Sequence, residues 1–281
     1  MAVVLYYNEY MKNAMLKYVV FDLDNTLLDS RKNVSRYSLA CLKKFKKEHN
    51  VRMGVASGRT RNSYMNAAEK NGLDEIMDFL ILNDGVDIYD LQDDTHVEFP
   101  FLDYEELKKI HHIFTQYDFI NVIFFGDHNM YARKSDDDLT YYMKRQGVTS
   151  FSAVSEDMIG NIKRCVVVFD REYNSEVRKI RNENPVEGVR YCFSEGHLLD
   201  VMPETISKSR AMEHYLKTKN DSWDNVMFFG DSENDLDLIK LSGYGIAMKN
   251  GEETVRRQRR YVTEHGCDED GCARFLDKWG K

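Results

Sequence analysis

A short apolar run, Tyr18 to Phe21, breaks off at two carboxylates, Asp22 and Asp24, inside the stretch Lys17–Ser30, KYVVFDLDNTLLDS. An apolar run this short, without polar alternation, predicts a strand covered on both faces, as in a parallel sheet. Alternation along a strand sends side chains i and i+2 to the same side, so Asp22 and Asp24 are expected to point together at one target. Carboxylates at the end of a buried strand are costly unless something cationic meets them. Two readings stand at this point. The pair binds a metal and does chemistry, or it caps the turn that Asn25-Thr26 begins.

The rest of the chain repeats a strand–helix rhythm. Ser35 to His49 spaces Tyr37, Leu39, Ala40, Leu42 and Phe45 along one helical face, with lysines opposite and a basic last turn that suits the helix dipole. Val51–Ala56 predicts a second strand, followed by Ser57-Gly58-Arg59-Thr60 and a helix over Thr60–Lys70. A Ser-Gly turn opening a helix offers a hydroxyl and backbone N–H groups to an anion; equally, it is an ordinary N-cap. Phe79–Leu82 predicts the third strand, ended by Asn83-Asp84-Gly85. Successive β–α units call for right-handed crossovers and a parallel sheet.

After Gly85 the rhythm changes. A hairpin is expected at Val86–Tyr89 and Thr95–Phe99, then strands and helices mixed up to Val189–Phe193. The mixture predicts an α+β insertion over 86–188, with the parallel core resuming from 189 onward. Beyond Pro203, a helix begins at Ile206-Ser207-Lys208-Ser209. The strand Asn225–Phe229 runs into Gly230-Asp231-Ser232-Glu233-Asn234-Asp235, and Leu236–Leu241 starts another helix. In open α/β sheets, ligands bind beyond the carboxyl ends of the strands. Asp22, Asp24, Ser57, Lys208, Asp231 and Asp235 are therefore expected to face one crevice. Acidic oxygens with no cysteine or histidine among them suit Mg²⁺ rather than zinc, and the lysine supplies a point charge for a phosphoryl oxygen.

Composition narrows the partners. A net charge of -8 argues against a nucleic-acid binder, whose footprint is a basic surface, so an anionic substrate needs a locally positive site or a bound cation. The length of 281 residues suits about two domains. Cys41, Cys165, Cys192, Cys267 and Cys272 are odd in number and contain no CxxC, as expected of reduced thiols in a cytoplasm. No stretch reaches membrane-span length, and MAVVLYYNEY lacks the basic and apolar regions of a signal peptide. Met1–Ala14 adds chain ahead of a complete first strand and is expected to be dispensable.

The ordered set DLDNTLL, VASGR, ISK and GDSENDLDLI resembles the four motifs of the haloacid-dehalogenase-like (HAD) hydrolases, and the likeness spans Lys17 to Leu276. The insertion, ILNDGVDIYD, AMKNG and YVTEHGCDEDGCARFL are similar to segments of the Cof-like subfamily with a type B cap. The resemblance implies an α/β fold: a Rossmann-like parallel sheet core (1–85 and 189–281) with an inserted α+β cap domain (86–188). It implies a Mg²⁺-dependent phosphatase acting on small phosphorylated metabolites through an aspartyl-phosphate, as a monomer or weak homodimer, with no nucleic acid or membrane involved. Asp22 would be the nucleophile. Asp24 would be the acid/base, its backbone carbonyl joining the metal shell. Ser57 and Gly58 would hold phosphoryl oxygens, with Asn234 touching the phosphate. Lys208 would neutralise those oxygens and fix Asp22. Asp231 would be the second carboxylate on the metal, Asp235 a ligand through water or a partner of Lys208, and Arg59 a group that binds the leaving group.

Four departures from the family pattern weaken any inference about substrate. Asn25 replaces the commoner glycine, Asn83-Asp84-Gly85 stands where Asn-Gly-Ala is frequent, Ser209 follows the lysine, and His265-Gly266-Cys267 lies where an asparagine-containing loop is usual. The nearest rivals are a phosphotransferase or mutase using the same residues, and a non-catalytic phosphometabolite-binding regulator. The regulator's mark would be loss of Asp22, Asp24 or Lys208, and all are present. The basic run Arg256–Arg260 reads as a solvated face. His265, Cys267 and Cys272 are poorly spaced for zinc, His111-His112 reads as packing or exposed surface, and Phe124-Phe125 with Tyr141-Tyr142 read as core.

Overall fold

β1 (Tyr18–Phe21) is buried at every residue. In this computed structural model it lies mid-sheet, parallel both to β2 (Arg52–Ala56) and to β11 (Val226–Gly230). The structure describes residues 16–126, 129–155, 162–258 and 261–279. Met1–Ala14, Arg259 and Arg260, which carry expectations above, lie outside them.

With β3 (Phe79–Leu82), β4 (Asp87–Asp90), β5 (Thr95–Glu98), β12 (Tyr244–Ala247) and β13 (Tyr261–Val262), the sheet has eight strands in the order β13-β12-β11-β1-β2-β3-β4-β5. Strand alternation divides β1 between two cores. Val19 and Phe21 pack with α1 (Arg36–His49), α2 (Arg61–Asn71) and α9 (Gly271–Lys278) on one face. Tyr18 and Val20 pack with α6 (Lys208–Thr218), α7 (Leu236–Leu241) and α8 (Glu253–Arg257) on the other. The helices start where the sequence offers caps: Ser35 accepts from Ser38 N at 3.0 Å and Ser207 from Arg210 N at 3.1 Å.

The second sheet is antiparallel, in the order β7-β6-β8-β10-β9. Its strands are β6 (Ile120–Gly126), β7 (Met130–Ala132), β8 (Ile162–Phe169), β9 (Val189–Glu195) and β10 (Leu198–Pro203). α3 (Tyr104–Phe114) and α5 (Asn174–Glu183) cover one face, through Leu107, Ile110, Phe114, Val177 and Ile180. α4 (Asp137–Gln146) covers part of the other, through Leu139 and Tyr142. Asp136 caps α4 by accepting from Leu139 N at 2.9 Å. Phe124, Phe125 and Tyr142 are core residues as expected, whereas Tyr141 is exposed.

Sheet membership departs from the division expected at 86 and 188. The β4–β5 hairpin extends the first sheet, because β4 pairs antiparallel to β3 with Phe79 opposite Asp90. β9 and β10 belong to the second sheet, where β10 pairs with β8. The change of rhythm after Gly85 does not mark the end of the first sheet, because a parallel sheet readily accepts an antiparallel edge.

Asp90 fastens that edge. Its carboxylate takes Arg52 Nη2 at 2.7 Å, Lys219 Nζ at 2.7 Å and the Tyr215 hydroxyl at 3.0 Å. Burial alone would raise its pKa, but the hydrogen bonds from Lys219 and Arg52 outweigh it and hold Asp90 well below the ordinary carboxylate range. A folded-state pKa below the unfolded one means stability that is complete above the unfolded value, about 3.9, and lost as pH falls below it. Asp90→Asn should therefore lower stability at pH 7 by about 2 kcal/mol, the scale of a hydrogen bond to a charged group. Melting curves at pH 7 and pH 3 check it, the gap from wild type narrowing at the lower pH.

His265, Cys267 and Cys272 form no metal-holding group among the described residues. The Cys272 thiol is buried against Thr26 O and Met248 Sδ. Among the described residues, no helix is long and apolar enough to cross a membrane.

Candidate active site

Asp22, Ser57, Lys208, Asp231 and Asp235 gather beyond the carboxyl ends of the parallel strands. Asp22 follows β1, Ser57 follows β2, Asp231 follows β11, and Lys208 opens α6. Lys208, 1% exposed, donates from Nζ to Asp22 Oδ1 at 2.7 Å and to Asp235 Oδ1 at 2.8 Å. Asp235 uses its other oxygen to accept from Asp231 N at 3.0 Å and Ser232 N at 3.3 Å, which fixes the loop after β11. Gly230 is needed there, since a Cβ at that position would lie 2.6 Å from Asp235 Cβ. Thr26, in the turn after β1, donates to Asp231 Oδ1 at 2.8 Å and ties the first and last motifs together.

Carboxylate oxygens of Asp22, Asp231 and Asp235 all lie within 4.8 Å of one another, and all three residues are buried. Burial pushes Asp22 up to about 7, against the pull of Lys208 and with a further push from Asp235. Asp231 is raised well above the carboxylate range by burial, then by Asp22 and Asp235. Lys208 is raised although burial opposes it, because Asp22, Asp235 and Asp84 favour its charge. Three carboxylates against one ammonium leave an excess of negative charge that a divalent cation would neutralise, and an all-oxygen donor set fits Mg²⁺. Both Asp235 oxygens are already engaged, so Asp22 and Asp231 are the better placed to hold it.

The carboxylate of Asp24 is not part of that group, contrary to the expectation that it points with Asp22 at one target. β1 ends at Phe21, and the chain then turns through Asn25, whose φ is 62°. Asp24 therefore lies outside the extended strand that alternation requires. Arg59 grips it with Nε and Nη2, both at 2.8 Å, and Lys32 Nζ approaches Oδ1 at 2.8 Å. Arg59 also donates to Ser63 O at 3.2 Å, so its guanidinium is occupied by Asp24 and α2 rather than displayed for a leaving group.

Ser57, 2% exposed, accepts at Oγ from Arg59 N at 3.2 Å. Asn234 Nδ2 donates to Asp84 Oδ1 at 3.1 Å, and Asp84 N donates to Ser57 O at 3.1 Å. The loops after β2, β3 and β11 are thus linked. Thr26, Lys32 and Asp84 join the expected residues at the site. Thr26 and Asp84 carried a signal, being polar residues just past apolar strands; Lys32, in a loop, carried none.

A family model described as haloacid dehalogenase-like hydrolase matches residues 19–276. Among its relatives, the 5-amino-6-(5-phospho-D-ribitylamino)uracil phosphatase YitU of Bacillus subtilis is 23% identical, covering 93% of this chain and 96% of its own. The fold is shared with a haloacid dehalogenase-like hydrolase from Bacteroides thetaiotaomicron, with a TM-score of 0.77 at 22% identity, covering 94% of this chain and 99% of that one. It is shared too with the HAD subclass IIB sugar phosphatase BT4131, with a TM-score of 0.79 at 18% identity, covering 94% and 99%. With four ordered motifs meeting at one sheet edge and a family match running through nearly all of both sheets, the chain belongs to the haloacid dehalogenase-like hydrolases.

Proposed function

We propose that this protein is a phosphatase that hydrolyses monoesters of small phosphorylated metabolites through an aspartyl-phosphate on Asp22, with Mg²⁺ as cofactor. The observation that carries the reading is the buried Lys208 ammonium, held between Asp22 and Asp235 with Asp231 in the same group. Phosphoryl transfer asks mainly for positioning and charge stabilisation, and this arrangement supplies both. The name of the YitU relative, which specifies a small phosphorylated metabolite, supports the substrate class.

Asp22 attacks phosphorus while Lys208 holds its carboxylate and offsets charge on the phosphoryl oxygens. Ser57 and the Gly58 N–H receive those oxygens, with Asn234 beside them. Asp22 and Asp231 would hold Mg²⁺, which supplies charge neutralisation for the phosphoryl group. Asp24 gives a proton to the departing oxygen and then activates water against the aspartyl-phosphate. Arg59 and Lys32 hold the Asp24 carboxylate in place, and proton donation requires it to leave that pair. Arg59 acts here as a positioning residue.

The test is a screen of purified protein with Mg²⁺ against an aryl phosphate and a panel of phosphorylated metabolites. Phosphate release that EDTA abolishes and Mg²⁺ restores is expected; release indifferent to EDTA would remove the metal from the reading, and no release from any ester would remove the phosphatase. Lys208→Ala should lower kcat by about 10²–10³-fold, the scale of losing one electrostatic stabiliser. Steady-state rates on the aryl phosphate measure it.

A further inference from the structure

Between the two sheets, next to Gly58, lies a buried polar cluster that the chemistry above does not use. After β3 the chain passes through Asn83, Asp84 and Gly85 with φ of 50°, 53° and 109°. This left-handed turn carries Asp84 to the Gly58 loop: a Cβ placed on Gly58 would lie 2.6 Å from Asp84 Oδ2 and 3.3 Å from Arg164 Nη2. Arg164 comes from β8 and Asp200 from β10, where Asp200 sits opposite Val166. The two side chains are therefore diagonal neighbours on one face. Arg164 donates from Nη2 at 2.7 Å and from Nε at 3.1 Å, both to the same oxygen, Asp200 Oδ1.

That leaves Asp200 Oδ2 buried with no partner among the described residues, and Asp84 Oδ2 is in the same position. Asp84 is 2% exposed and Asp200 1%. Buried acceptors are rarely left unfilled, because losing water without gaining a donor is costly. Burial raises Asp84, and the Asp200 charge raises it further, in spite of Arg164 and Lys208. The cluster holds two carboxylates against one guanidinium, with open acceptors at the edge of the phosphoryl-binding loop.

We propose that Asp84, Arg164 and Asp200 form a leaving-group subsite that takes hydroxyl or N–H donors and rejects a second anionic group. The inference rests on the phosphatase reading and specifies which esters it favours. A hydroxyl satisfies both kinds of partner, donating to Asp84 Oδ2 or Asp200 Oδ2 and accepting from Arg164. A carboxylate or a second phosphate would crowd two acidic side chains and bring no donor for Asp84 Oδ2 or Asp200 Oδ2. Sites built to hydrogen-bond a hydroxyl discriminate strongly against analogues that cannot donate.

The experiment compares chain-matched pairs that differ only in the terminal group: glycerol 3-phosphate with 3-phosphoglycerate, ribitol 5-phosphate with 5-phosphoribonate, and sorbitol 6-phosphate with 6-phosphogluconate. para-Nitrophenyl phosphate is run alongside, all with Mg²⁺. At the best chain length, kcat/KM for the polyol ester should exceed that for the acid by at least tenfold. Asp200→Asn keeps the shape but removes a charge, and should shrink that ratio at least fivefold; if it fails to fold, the wild-type ratio carries the test alone. No release from any ester overturns the phosphatase reading. Release from the aryl ester with a polyol-to-acid ratio below ten overturns the subsite. A high ratio that Asp200→Asn leaves unchanged overturns its assignment to these residues.

Discussion

Asp22→Asn should lower the turnover of an aryl phosphate by about 10⁴-fold or more, the scale on which loss of a covalent nucleophile is felt. The fold should persist. Burial already raises Asp22 towards neutrality, and the amide keeps the carboxylate's shape. Lys208 keeps its bond to Asp235 at 2.8 Å. The melting temperature should thus stay within a few degrees of wild type, and phosphate release in single-turnover assays is the measurement. A folded Asp22→Asn protein that still turns over would end the nucleophile assignment.

Gly85→Ala should produce the largest loss of stability from a single added methyl group near the site. Gly85 has φ of 109°, and a Cβ there would lie 2.3 Å from Ser207 O and 3.1 Å from Lys208 N. Neither neighbour is the free end of a flexible side chain; both belong to the backbone that starts α6. Left-handed strain together with overpacking costs about 3 kcal/mol, or roughly 6–12 °C in melting temperature for a chain of this size. Because the displaced backbone carries Lys208, kcat should fall with it, well below what the lost stability explains at 25 °C. Thermal melts paired with rates separate the two effects.

Much of the core and its motifs is legible in the sequence because buried parallel strands write themselves as unbroken apolar runs. Tyr18–Phe21 and Phe79–Leu82 have the bounds that the pattern gave. Lys208 could be placed with Asp22 because strand ends in such sheets share one edge. What escaped depends on geometry that no local pattern encodes. The direction of Asp24 follows from a turn at Asn25, and its partners Arg59 and Lys32 come from separate loops. Arg164 and Asp200 each interrupt an apolar strand, IKRCVVVF and LLDVMP, but their pairing needs the β8–β10 register. The place of the hairpin at 87–98 in the first sheet is likewise hidden, because pairing partners on a sheet edge leave no trace in the hairpin's own residues.

The central position of β1 has a consequence for biosynthesis. Its two neighbours are β2, made soon afterwards, and β11, which begins at Val226. At about 5–20 residues per second, the edge of β1 that awaits β11 stays unpaired for roughly 10–40 s while the whole second sheet emerges from the ribosome. The closing contact between Lys208 and Asp22 spans 186 positions, and pairings so distant in sequence form slowly. During that interval an unprotected apolar strand is open to pairing with other chains, and its exposure ends only when the last fifth of the chain appears.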